Sequence, residues 1–143
     1  MAIYLGDQKV QTYIGEVSDN DSNALAETTI IKFKSTTLKA VGQYGLAYQH
    51  HLKKIDLWSV ESIAKCAFCN DFVLDTLIIR TPKVCALPNL SMYPERGYVF
   101  YRTPIEDGTG FIYVPDDLVN KYKSETNWCL YSSQIKPISE LRE

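Results

Sequence analysis

Long apolar runs, basic clusters and histidine are what this sequence has least of. No apolar stretch approaches the roughly 18 residues of a membrane-spanning helix, so membrane insertion is not expected. The 15 basic residues are scattered without a run, which argues against nucleic-acid binding. With 2 histidines, no glycine-rich phosphate loop and no G-x-S-x-G motif, the chain shows no catalytic constellation. We therefore expect a protein that is not an enzyme and uses no cofactor.

Secretion signals and a disulfide framework are also missing. The opening MAIYLGDQKV has neither a basic region nor a long apolar region, so export by the standard secretory route is not expected. Four cysteines in 143 residues are too few for a disulfide scaffold, and we expect all four to be thiols.

Cys66 and Cys69 form a C-x-x-C pair that suits half a zinc site or a redox pair. Structural zinc needs four ligands, but no second pair is present, and His50 and His51 are adjacent residues that rarely bind one ion together. A thioredoxin-like pair begins a helix after a strand of a βαβ unit, and that context is absent too. We expect a structural role and no metal site, with metal binding and redox chemistry as less favoured alternatives.

A repeat of 22 residues is the main feature that is present. Apolar residues recur at this step in the sets Phe33 and Ile55, Leu38 and Val60, Val41 and Ile63, Leu46 and Phe68, and Ile30, Leu52 and Leu74. Ser35 breaks the pattern where Leu57 and Ile79 continue it. Apolar positions at a fixed step stack from one coil to the next, so the pattern predicts a solenoid.

The repeat predicts three short parallel strands, Ile30–Lys34, Leu52–Leu57 and Leu74–Ile79, each followed by an apolar turn and a short helical piece. Ala67 and Phe68 are the expected inward pair of that helical piece. The strand side chains expected to face inward are Ile30, Phe33, Leu52, Ile55, Leu57, Leu74, Leu77 and Ile79.

The residues between the inward positions are expected on the exposed side of the sheet. We name this set the sheet strip; its members are Lys32, Lys34, Lys54, Asp56, Thr76, Ile78 and Arg80. Ile78 is the one apolar residue expected to point outward. The strip is either a solvated face or a surface for a neighbouring subunit, a receptor protein or a glycan.

The stretch SIAKCAFCNDFVLDTLII resembles the BspA-type leucine-rich repeat. The matching residues are Ser62, Ile63, Ala67, Phe68, Leu74, Leu77 and Ile79. Ala64 stands at the family's usual glycine and Asp71 at its usual cysteine, so neither Cys66 nor Cys69 is the family cysteine. The resemblance implies a short right-handed leucine-rich-repeat solenoid.

Residues 108–141 resemble a terminal segment that closes such repeats in proteins of gut Firmicutes and their phages, and residues 77–89 resemble the join before it. On its own pattern, FIYV reads as a strand, and Pro115 opens a helix with Asp116 and Asp117 at its positive end. Two apolar faces follow, made by Leu118, Val119 and Tyr122, and by Trp128, Leu130, Tyr131 and Ile135. A capping unit of this kind is expected, because an uncovered last coil would expose its core.

The predicted fold class is an α/β repeat with a parallel strand stack, an N-terminal β arm and a C-terminal α/β cap. The expected divisions are residues 1–23 for the arm and linker, 24–90 for the solenoid, and 91–143 for an insert and the cap. The opening IYLGDQKV is similar to the N-termini of phage structural proteins.

These resemblances imply a non-enzymatic phage virion component, such as a tail, baseplate or fibre-associated adhesin, assembled in the host cytoplasm. Its expected partners are other virion or surface proteins, with a receptor protein or glycan as further candidates and a homo-oligomer compatible with the pattern. The alternative is a bacterial cell-surface or host-interaction repeat protein.

Overall fold

The computed structural model describes residues 31–88 and 99–142, together with the backbone of three strands between residues 2 and 17. The strands are β1 (Ala2–Leu5), β2 (Gln8–Gln11), β3 (Ile14–Val17), β4 (Lys32–Ser35), β5 (Thr37–Val41), β6 (Lys54–Leu57), β7 (Ser62–Ile63), β8 (Thr76–Ile79), β9 (Phe111–Val114) and β10 (Ile135–Pro137). The helices are α1 (Pro104–Asp107), α2 (Val119–Ser124) and three 3-10 segments, Asp116–Leu118, Cys129–Gln134 and Ile138–Glu140. The protein is thus α/β. No described helix is long and apolar enough to cross a bilayer.

A mostly parallel sheet organises the chain, with strand order β1-β2-β4-β6-β8-β9-β10. Among the described strands of this sheet, only β1 and β2 pair antiparallel. The register pairs Lys32 with Lys54 and Lys54 with Thr76, so neighbouring strands are related by the 22-residue step of the sequence. The predicted parallel pairing is confirmed.

Each of the last two predicted strands begins later than expected, because its first apolar residue lies in a turn. The backbone N–H of Leu52 bonds to the carbonyl of Gln49, and that of Leu74 bonds to the carbonyl of Asp71. Both leucines are nevertheless buried. The inward positions follow the prediction, and the buried residues are Phe33, Leu52, Ile55, Leu57, Leu74, Leu77 and Ile79. Ile30 lies outside the described residues.

Ser35, which breaks the apolar pattern, is also buried. Its Oγ accepts hydrogen bonds from the backbone N–H groups of Thr37 and Leu38, at 3.3 and 2.9 Å. These bonds hold the corner at which the chain leaves β4 and enters β5. A hydroxyl is therefore used at this position because it satisfies backbone donors that leucine would leave unpaired.

A second sheet, with order β3-β5-β7, was not predicted. Its strands pair in parallel, and Ala86 adds an isolated parallel bridge to Ser62. Leu38, Val41 and Ile63 point from this sheet into the same core as the first sheet. What had been taken for an apolar turn after each strand is therefore, in two of the repeats, a strand of its own.

The predicted helical pieces are wrong; both segments are turns. Tyr44 and Cys66, and likewise Tyr48 and Asn70, have left-handed φ values of 59°, 54°, 61° and 63°, which a continuous helix does not allow. Four N–H groups in these turns bond to carbonyl groups of the next turn of the stack rather than along a helix. These bonds run from Leu46 to Ala67, Tyr48 to Cys69, Phe68 to Val99 and Asn70 to Tyr101, at 2.9–3.1 Å.

Ala67 and Phe68 are fully buried, as predicted. Phe68 stacks on Phe100 at a ring-centroid distance of 5.5 Å, so residues 99–102 form a third turn over the earlier two. The chain then enters α1, whose N-cap Thr103 accepts from the N–H of Glu106. Gly108 ends α1 at φ 90°, a conformation that favours glycine.

The predicted strand in FIYV is confirmed as β9, which pairs with β8 and β10. Pro115 precedes the 3-10 segment that leads into α2, also as predicted. Leu118, Tyr122, Trp128, Tyr131 and Ile135 join the main core, and Val119 packs against it. Leu130 does not: its side chain is 61% exposed, so its assignment to an apolar face is wrong. It follows Cys129 in a tight 3-10 turn, which directs it away from the face that Trp128 and Tyr131 share.

Candidate binding face

The register of the main sheet sets the strip residues in two rows across the strands. One row runs Lys32, Lys54, Thr76 and Phe111. The other runs Lys34, Asp56, Ile78, Tyr113 and Lys136. The sheet therefore brings the predicted strip together and extends it onto β9 and β10. Sequence reasoning missed Phe111, Tyr113 and Lys136 because their strands do not follow the 22-residue step.

An aromatic and charged cluster lies at one end of the strip. The Arg80 guanidinium donates to both oxygens of Asp56, with Nε–Oδ1 at 2.8 Å and Nη2–Oδ2 at 3.1 Å. The same guanidinium lies 4.7 Å from the ring centroid of Trp58, and Lys34 Nζ lies 5.7 Å from it. Trp58 was not predicted as a site residue, although it stands 22 positions before Arg80.

Two strip residues are buried and the other five are half-buried, which corrects the expectation of an exposed set. Ile78 is fully buried and Asp56 is 3% exposed. Ile78 sits in its row between Asp56 and Tyr113, which cover it from both sides. Asp56 is covered by the bidentate contact with Arg80. Ile78 is therefore part of the packing of the face rather than an apolar contact offered to a partner.

A groove of about 380 Å³ lies at the start of the strands. Its charged lining residues are Lys32, Lys53, Lys54, Asp75 and Arg142. Lys53 Nζ is 3.7 Å from Asp75 Oδ2, and Asp75 Oδ1 accepts from the Thr76 hydroxyl at 2.8 Å. Four cations and one engaged carboxylate give the groove a positive charge.

The four cysteines are all thiols. Burial, followed by a hydrogen bond with Cys66, raises the pKa of the Cys69 thiol, and burial raises that of Cys85 to about 12. Both are therefore protonated at neutral pH and poorly suited to bind a metal or attack a disulfide. Within residues 31–88 and 99–142, no group of three metal-binding side chains occurs.

The turns form a separate cavity of about 330 Å³, which Cys66 and Cys69 line. Its other lining residues are Tyr44, Tyr48, Asn70, Tyr101 and Arg102. Tyr44 hydrogen-bonds to the Cys66 side chain, so the thiol pair takes part in the packing of the stacked turns.

Neither Asp116 nor Asp117 makes a side-chain capping bond at the start of the 3-10 segment. The Asp116 carboxylate instead accepts from the backbone N–H of Ser139 at 3.1 Å, and hydrogen bonds from the side chain and then the backbone of Ser139 lower its pKa. Asp116 therefore fastens the last 3-10 segment to the chain before α2. Both aspartates lie in the first turn of the 3-10 segment, so their predicted position at its positive end is confirmed.

No protein-family model matches the chain, and no curated protein or solved structure shows significant similarity to it. The binding face must therefore be interpreted from its own geometry.

Asp71 is a buried carboxyl group that links two repeats. It is fully buried, and its Oδ1 accepts from the backbone N–H of Gln49 at 2.8 Å, while its Oδ2 has no hydrogen-bond partner among the described residues. Burial raises the pKa of Asp71 well above its usual value, and the bond from Gln49 only partly opposes this. Burial thus favours the protonated form of Asp71 in the folded protein.

This burial predicts a stability that falls as pH rises. The unfolded carboxyl loses its proton near pH 3.9, so the stabilisation linked to Asp71 is complete below that pH. It is lost as pH rises toward the folded pKa, by up to about 1.4 kcal/mol per pH unit. We expect Asp71→Asn to remove this pH dependence. In urea unfolding, the free energy of unfolding of the variant should therefore rise relative to that of the wild type between pH 4.5 and 7.5. Asp117→Asn, at an exposed carboxylate, is the control, and parallel curves for Asp71→Asn and wild type would contradict the assignment.

Proposed function

We propose that the protein is a non-enzymatic binding module that presents the outer face of its main sheet to a partner. The observation that carries the proposal is the register, which aligns cationic and aromatic side chains in rows across five strands. Such rows suit recognition of an extended surface better than chemistry at a point, because repeat proteins bind through faces of this kind.

We also propose that the architecture is a short right-handed leucine-rich-repeat solenoid. Support comes from the parallel pairing at the 22-residue step, the ladder of hydrogen bonds between successive turns, and the burial of Ala67 and Phe68 at the positions that the repeat family uses. Parallel crossover connections are almost always right-handed. The C-terminal segment packs on the same core through Tyr122 and Trp128, in keeping with a cap.

The biological setting we propose is a phage virion, with the protein as a tail, baseplate or fibre-associated adhesin. This part rests on the resemblance of residues 108–141 and of the N-terminus to phage and gut Firmicutes sequences. It predicts that particles purified from the strain that carries the gene contain this chain at a fixed ratio to the capsid protein. Detection on the cell envelope, with none in purified particles, would favour the bacterial surface protein instead.

The role of the face is tested with Lys32→Glu/Lys54→Glu, which reverses two charges that point away from the core. The control is Lys39→Glu/Lys83→Glu, with the same charge change at two exposed lysines outside the strip. Both variants are expected to fold with wild-type circular dichroism. Only the face variant is expected to lose incorporation into particles or attachment to cells; equal behaviour of the two variants would contradict the proposal. Ile78 is unsuited to this test because a buried glutamate would unfold the protein.

A further inference from the structure

The charge of the face is opposite in sign to that of the chain. Five cations lie on the outer side of the described strands or at their ends: Lys32, Lys34, Lys54, Arg80 and Lys136. The carboxylates there are Asp56, which Arg80 engages, and Asp75, which lies 3.7 Å from Lys53 Nζ. Since the whole chain has a net charge of −2, its negative charge lies elsewhere. Segregated charge of this kind attracts a partner of opposite sign, so the face fits an anionic ligand.

Cations stand at both ends of one row across the strands and side by side in the other. The row from Lys34 to Lys136 spans β4, β6, β8, β9 and β10, which is four strand spacings or about 19 Å. In the other row, Lys32 and Lys54 are direct register partners. The two rows therefore suit an elongated molecule with repeated negative charges.

Aromatic rings are interleaved with these cations. Trp58 is 43% exposed and Phe111 is 37% exposed. Lys136 Nζ lies 5.7 Å from the centroid of Phe111, and Lys34 and Arg80 hold Trp58 in the same way. The rings are thus fixed in position beside the charges and offer flat apolar surfaces next to ammonium and guanidinium groups. A sugar ring with an acidic substituent presents the matching pair, an apolar C–H face and an anion.

An acidic peptide fits this face less well. When an extended peptide binds across the strands, its backbone N–H groups lose their hydrogen bonds to water. They then stay unpaired unless the face supplies acceptors. Among the described rows the side-chain acceptors are Asp56, which is buried beneath Arg80, and the hydroxyl groups of Thr76 and Tyr113, which are too few for a peptide that crosses five strands. A polysaccharide has no such obligatory donors along its backbone, and its hydroxyl groups can stay in contact with water.

We infer that the outer face binds an anionic polysaccharide laid across the strands, with Lys32 and Lys54 contacting its acidic groups and Trp58 and Phe111 contacting its sugar rings. This inference rests on the proposed function and names the ligand class of the same face. The acidic group can be a carboxylate or a sulfate, since either pairs with lysine.

The test measures binding of oligogalacturonate and dextran sulfate, each long enough to cross about 19 Å of sheet, with neutral dextran and poly-glutamate as comparisons. We expect at least one anionic polysaccharide to bind, neutral dextran not to bind, and affinity to fall with added salt. Lys32→Glu/Lys54→Glu is expected to weaken binding by about tenfold or more, which is about 1.4 kcal/mol, while Lys39→Glu/Lys83→Glu is expected to bind as the wild type does.

Trp58→Ala distinguishes a site that recognises sugar rings from a site that binds any polyanion through charge alone. We expect this variant to bind the anionic polysaccharide more weakly than the wild type does, and to bind poly-glutamate with the same, lower affinity as the wild type. Equal affinity for poly-glutamate with no effect of Trp58→Ala would overturn the inference in favour of an acidic polypeptide. Absence of binding to both anionic polysaccharides would also overturn it. If the face variant still loses particle incorporation or cell attachment in that case, the proposed function stands and the ligand class alone is wrong.

Discussion

We expect Phe68→Ala to lower the free energy of unfolding by about 3–5 kcal/mol, the range for truncating a buried aromatic side chain. Phe68 is fully buried, and its ring stacks on Phe100. Phe100 in turn contacts Trp128 and Tyr131, at centroid distances of 6.3 and 5.0 Å. Truncation therefore opens a cavity where the repeats meet the C-terminal segment. Since small domains are stable by only about 5–15 kcal/mol, the variant is expected to be close to unfolding.

The sequence offers a matched control four residues away. Phe72 is 50% exposed and stacks on the His50 ring at 5.1 Å. Phe72→Ala is expected to cost less than about 1 kcal/mol, because it leaves no buried cavity. Urea unfolding of both variants followed by far-UV circular dichroism makes the comparison. A melting temperature within a degree or two of wild type for Phe68→Ala would show that this ring is not a core anchor.

Trp128→Ala is expected to cost a similar amount, about 3–5 kcal/mol. Trp128 is fully buried, packs edge-on against Tyr122 at 5.1 Å, and donates from Nε1 to the carbonyl of Cys85 at 2.7 Å. The N–H of Cys85 donates to the Tyr122 hydroxyl at 2.8 Å. Two aromatic side chains of the C-terminal segment thus satisfy both backbone polar groups of one residue in the join.

Trp128→Phe isolates the hydrogen bond from the ring packing. It leaves the Cys85 carbonyl buried without its donor, which is expected to cost about 1–3 kcal/mol. Trp58→Ala serves as the control, because Trp58 is 43% exposed and its loss is expected to change unfolding by less than about 1 kcal/mol. Wild-type stability for Trp128→Phe would contradict the role assigned to the indole N–H.

The sequence predicted the inward side of the main sheet well because that side is repetitive. Phe33, Ile55 and Leu77 occupy one position in three successive repeats, and each is fully buried. A period in the sequence is enough to predict such positions, since every coil meets the same surroundings. Local strand and proline signals, rather than the period, predicted β9 and the start of the C-terminal helical region.

The remaining features depend on contacts that no period contains. Ile78 is buried because Tyr113, on a strand 35 residues away in sequence, stands beside it. The turns at Tyr44 and Cys66 were mistaken for helices because left-handed φ is usually signalled by glycine, and neither residue is one. Trp58 could have been found, because the 22-residue step from Arg80 leads directly to it.

The two ends of the main sheet are unlike, and this limits how copies of the chain can join through strand edges. One edge strand is β10, which is three residues long and includes Lys136 and Pro137. Proline has no N–H to donate to a further strand. The opposite end is the regular strand β1. Filament growth requires two joinable edges on every copy, one to receive and one to give. Within the described main sheet, pairing of β1 with β1 joins two copies and leaves no second edge of that sheet to extend, so pairing through this sheet ends at a symmetric dimer.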